Sequence, residues 1–247
     1  MAAPLIRELV WARYFPDSSI PESVVVKVAD ETDLYLKLEE RVNHKHRINH
    51  GLVNDWILQL LSAEIENILK PADPKDLMNN FMYQIFTKKV NISDDSDEIR
   101  DIQVFIAVRR AYANDDLAFL RYHLFKQYYG KVTHISLDKI AQDFPSGIKM
   151  IDSQFKYPAK DRIYSYINNQ IVPFLILDDV FRKNRGHIHP IVSDEDRLNL
   201  EVLNACSERY KSIRNKVRRA IIRSVIFIFF TKAIFAFFIE GTFERLI

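Results

Sequence analysis

The chain has 247 residues, 48% of them hydrophobic and 28% charged, which suits a folded chain with one substantial core and excludes a disordered one. Five glycines leave few positions for tight turns and suit helices joined by short loops, while a single cysteine, Cys206, excludes an intramolecular disulfide. The net charge of +2 hides a split: residues 1–208 are net acidic, whereas residues 209–223 carry seven basic residues and no acid.

Residues 4–15 place Arg7, Glu8 and Arg13 inside what would be the apolar stretch of a signal peptide, so an amphipathic helix is predicted there. Residues 23–28 (SVVVKV) read as a short, solitary strand. Between 52 and 70, Val53, Trp56, Ile57, Leu60, Leu61, Ile65, Ile68 and Leu69 recur at three- and four-residue spacing, the mark of a helix that Pro71 ends. Asp73 and Pro74 restart a helix through Phe86, and residues 91–97 form a polar capping loop.

Further helices are predicted over about 98–112, from Asp115 to Gly130, and from Ser136 to a stop before Pro145. A long one over 159–182 is kinked or split by Pro173. Residues 183–193 are a polar loop, and Ser193 with Asp196 resembles a capping box. No Pro or Gly follows until Gly241, so one helix of about 68 Å runs from 194 onward.

That helix leads into the run Ser224–Ile239, apolar except for Lys232, with seven phenylalanines between Phe227 and Phe243. Its apolar character on every face and the basic collar before it (Arg209, Lys211, Arg214, Lys216, Arg218, Arg219, Arg223) predict a membrane segment whose collar touches anionic headgroups. The segment either spans the bilayer or lies in its interface. If it spans, the positive-inside rule keeps 1–208 cytoplasmic. Lys232 is an intramembrane charge that asks for a partner on another helix, so the chain reads either as tail-anchored or as a piece of a longer membrane protein. The fold class expected is all-α, a multi-helix bundle whose long C-terminal helix continues into the membrane. Its parts are a helical domain 1–208, a juxtamembrane collar 209–223, a membrane segment 224–239 and a short tail 240–247.

No catalytic, nucleotide or metal motif stands out. A phosphate loop fails because Gly130-Lys131 has Phe125 where its partner glycine belongs. His44, His46 and His50 interleave with Lys45 and Arg47 and read as a cationic helix face. His187 and His189, with His123 or His134, form the weak metal alternative. The acid pairs 39–40, 94–95 and 115–116 read as caps and solvated faces. Asp178-Asp179 follows FLIL, where partial burial would raise a carboxyl pKa, but the pair reads as helix surface. The acidic body gives no nucleic-acid footprint outside the collar.

The stretch RRAIIRSVIFIFFTKAIFAFFIE, together with NNQIVPFLILDD, resembles uncharacterised membrane proteins of candidate-phylum bacteria. The resemblance implies a bacterial inner membrane and a chain continuing past Ile247, with no activity or site to carry over. The function expected is a membrane-tethered, non-enzymatic helical module that meets a protein partner or another copy of itself. The alternatives are the cytoplasmic portion of a polytopic transporter or channel accessory, and an enzyme without a recognisable motif. No cofactor is expected.

Overall fold

The computed structural model describes residues 2–16, 20–70, 74–92, 96–184 and 186–243, with side chains described for all but 2, 74 and 237–243. The expectations placed on Pro71, Asp73, Asp94, Asp95 and the last four residues lie outside these. Every described element is helical. The chain divides into two compact units, residues 1–172 and 173–247.

The first unit opens with α1 (Ala2–Trp11), the predicted amphipathic helix. Next comes α2 (Glu22–Lys45), which absorbs the strand-like residues 23–28. Their β-branched side chains favour a strand only weakly. The burial of Val28, Glu31, Leu34, Tyr35, Leu38 and Val42 at helical spacing shows what overrides them. Asn49 caps α3 (His50–Leu69) by accepting from the Gly51 amide at 2.9 Å. The predicted stripe of α3 is its buried face, with Val53, Trp56, Ile57, Leu60, Leu61 and Ile68 all buried. α2 ends at Lys45 and His46 is already extended, so His46 and His50 do not share a helix.

α4 (Pro74–Lys89) follows, then α5 (Asp97–Val108), capped by Ser96. The ladder of α5 then widens into one π turn, Arg109–Ala113, closed by Asn114 in the left-handed region (φ 60°). Asp116 accepts from the Phe119 amide and starts α6 (Leu117–Tyr129). α7 (Leu137–Gln154) runs straight through Pro145, where a stop was expected. α8 (Lys160–Asn169) is the last helix of this unit; α9 (Val172–Lys183), the other half of the helix that Pro173 was expected to kink or split, belongs from Pro173 on to the second. The core of this unit gathers α2, α3, α5, α6 and α7 around Leu38, Ile57, Leu60, Phe125, Ile140 and Phe144. α1 packs on α2, and α4 and α8 pack on α5.

In the second unit, α10 (Ile188–Val192) is a short helix inside the expected polar loop. α11 (Glu195–Phe243) is 49 residues long, a rise of about 74 Å. Asp194, and not Ser193, caps it: its carboxylate accepts from the amides of Asp196 (3.1 Å) and Arg197 (3.2 Å). Leu198, Val202 and Ala205 of α11 close over Val180 and Ile191.

The membrane expectation is overturned here. Among the described residues, no helix is long and apolar enough to cross a membrane. Arg223 and Lys232 leave only residues 224–231 uncharged between them, about 12 Å of helix against a hydrocarbon core of roughly 30 Å. The fold class is therefore an all-α multi-helix bundle without the continuation into a bilayer. Orientation, cytoplasmic placement and the bacterial inner membrane all depended on that span and are withdrawn with it, as are the tethered module and the polytopic fragment.

Candidate functional site

The collar residues expected at headgroups lie along α11 without converging on one point. Arg209 is committed within its own unit, to Asp179 at 2.5 Å and to the carbonyl of Leu175 at 3.4 Å. Arg219 bonds the carbonyl of Asn215 one turn back. Lys211, Arg214, Lys216, Arg218, Arg223 and Lys232 are exposed. With no span among the described residues, a bilayer partner for this face is withdrawn. Asp178, expected on the helix surface, is instead only 13% exposed at its side chain and bonds Arg182 at 2.8 Å.

Among the described residues no three His, Cys, Asp or Glu side chains stand close enough to hold a metal. His123 instead sits among aromatic edges, with ring centroids of Tyr122, Phe119 and Phe105 at 5.3, 6.0 and 6.1 Å. Burial lowers its pKa to about 3, and the charges of Arg109 and Lys126 push the same way. It is a neutral core imidazole.

The chemistry of the first unit gathers at the π turn. The Arg109 side chain is 9% exposed; it donates from Nε to the Asp115 carboxylate and from Nη2 to Asp76 Oδ1 at 3.2 Å. Burial raises the Asp115 carboxyl above its ordinary range, outweighing the pull of Arg109 in the opposite direction. The acid pair 115–116 thus splits its work: Asp116 caps α6 while Asp115 turns inward to the arginine.

Beside this pair lies a cavity of about 260 Å³, walled by the end of α3 (Glu66, Asn67, Lys70), by Asn79 of α4, by Arg109 and Asp115, and by Phe119 of α6. Asn79 is 3% exposed, and neither its amide nitrogen nor its amide oxygen has a hydrogen-bond partner. A buried, unpaired amide costs on the order of 1–3 kcal/mol, so folded chains rarely keep one without a use. π turns inserted in α-helices also concentrate at functional sites.

Deeper in the same unit, Tyr122 donates to Glu64 at 2.5 Å and accepts from Lys126 at 3.0 Å, while Lys131 reaches Glu31 at 2.7 Å. These groups pair with one another, although Oε2 of Glu31 stays buried without a hydrogen-bond partner. The Asn79 site escaped the sequence because its members come from four separated stretches and none belongs to a motif. The one local sign was Asn114-Asp115-Asp116, a turn signature read only for capping.

The described residues of the first unit thus make a helical domain with a small cavity of mixed polarity. No family model, no curated protein and no solved structure matches the chain. The resemblance to bacterial membrane proteins is accordingly withdrawn, and with it the bacterial origin it implied.

Proposed function

We propose that residues 1–172 form a binding domain for a small, neutral polar molecule, held in the cavity beside the π turn. The observation that carries this is Asn79, a buried amide whose donor and acceptor are both unspent. A carboxamide presents one N–H donor and one carbonyl acceptor side by side, so its natural complement is another amide-type edge, paired through two hydrogen bonds once the Asn79 side chain, whose amide atoms are closed to solvent in the free chain, turns toward the cavity. Neutrality follows from the walls. Arg109 is already matched by Asp115 and Asp76, and Lys70 by Glu66, so an ion aimed at any of these would have to break a pair, while the wall's other charges, Lys75 and Asp116, are of opposite sign. Phe119 supplies a flat apolar side. Binding is the better reading than turnover, since the most perturbed acid at the cavity, Asp115, is locked to Arg109 and no Ser, Thr or Cys stands in the wall.

The test is an NMR titration of the full chain with acetamide and with nicotinamide, both carrying the amide edge. The reading expects saturable shifts of the Asn79 side-chain NH2 and of the Asn67 and Phe119 amides. Titrations that leave those signals unmoved contradict it.

A further inference from the structure

A second space adjoins the first. An apolar groove of about 320 Å³ lies between α1 and α3, formed by Leu5, Leu9 and Phe15 on one side and Ile65 and Leu69 on the other. Glu66 and Lys70 line both the groove and the Asn79 cavity. These two side chains form an ion pair at 2.9 Å and are 48% and 57% exposed. An exposed pair at i,i+4 contributes only a few tenths of a kcal/mol, so these side chains are easily moved aside.

We infer that the ligand is an amphiphile: a primary carboxamide whose head pairs with Asn79 and whose short hydrocarbon tail passes the Glu66–Lys70 pair into the α1–α3 groove. The inference rests on the cavity reading and extends it by naming the ligand's other half. A purely polar ligand would leave the groove unused, and a simple hydrocarbon would leave the Asn79 amide unpaired. One molecule with both parts satisfies both. The groove's apolar wall also explains why the two spaces meet at side chains that keep their charged ends in water and their stems along the apolar surface.

The test is a series of unbranched primary amides, acetamide, butanamide, hexanamide and octanamide, titrated into the full chain by NMR. Affinity should rise about fourfold for each added methylene, the increment expected when a CH2 leaves water, until the groove is filled. Shifts should spread from Asn79 and Asn67 to the Ser62 and Leu69 amides as the tail lengthens. The gain per methylene should disappear in Leu5→Glu and shrink in the milder Leu5→Ser, with helicity by circular dichroism confirming that each variant is folded. If all four amides bind with equal affinity, the tail assignment is wrong while the cavity reading stands. If none moves the Asn79 signals, both fail. A gain that persists undiminished in both Leu5 variants places the tail elsewhere and overturns the inference.

Discussion

The ring of His46 donates its Nε2–H to the carbonyl of Ala141 at 2.9 Å, and that carbonyl is the one Pro145 leaves without a helical partner. Proline has no amide hydrogen, so the acceptor four residues earlier is orphaned wherever proline sits inside a helix. A histidine from just past the end of α2 fills the gap, fixes its own tautomer and ties α2 to α7. His46→Ala should therefore cost about 1–2 kcal/mol in urea unfolding, and much less when made together with Pro145→Ala, which restores the intrahelical bond. Equal costs in the two backgrounds would separate the histidine from the proline.

Gly147, two residues beyond Pro145 in α7, has a Tyr129 hydroxyl where a side chain would go. A Cβ built there would stand 1.9 Å from that oxygen. Tyr129 cannot easily retreat, because its ring packs against a tilted Phe125 and an edge-on Tyr128, each with centroids 4.8 Å away, and its hydroxyl donates to Asp143 at 3.0 Å. Gly147→Ala should lower stability by about 1–3 kcal/mol despite alanine's better helix propensity. Adding Tyr129→Phe should recover part of the loss, read as the shift in unfolding midpoint.

His123 makes the fold acid-sensitive. Its folded pKa is depressed to about 3, against 6.5 for the free side chain. The stability it contributes is fully present above pH 6.5 and is lost as pH falls toward 3, at up to about 1.4 kcal/mol for each pH unit. His123→Phe keeps the aromatic packing and removes the titration. The difference in unfolding free energy between variant and parent should widen in the variant's favour from pH 6.5 to 4; a difference that stays constant across that range would mean His123 is not buried as a neutral group.

The outer half of α11 presents Phe227, Phe229 and Phe230 at 59–72% exposure. Large contiguous apolar surface of this kind binds hydrophobic dyes in the native state. The full chain should enhance 1-anilinonaphthalene-8-sulfonate fluorescence under native conditions, and the triple change of these residues to Ser should sharply reduce it. Undiminished fluorescence in the triple variant would place the dye-binding surface elsewhere.

The sequence made the periodic parts legible and the tertiary exceptions not. The stripe of α3 could be read because Val53, Trp56, Ile57, Leu60 and Leu61 all face one core. Residues 23–28 misled because β-branching is a local preference, while the pattern that decides α2 begins at Val28 and runs downstream. Pro145 misled because the donor that excuses it, His46, is 95 residues from the Ala141 carbonyl it serves. The tail misled because its phenylalanines suggested a span that Arg223 and Lys232 cut short. The cavity was invisible for the same reason as the His46 bond: Asp76 and Arg109 are 33 residues apart, and the burial of Asn79 is a property of the packed helices alone.

The most direct test of the account is Asn79→Leu, measured for stability and for binding together. An apolar side chain of similar size removes an unpaired buried amide, so the free protein should become more stable, by about 1–3 kcal/mol, while saturable binding of acetamide and nicotinamide is lost. A variant that is destabilised, or that binds the amides as well as the parent, would contradict the claim that this chain keeps Asn79 unpaired in order to hold a ligand.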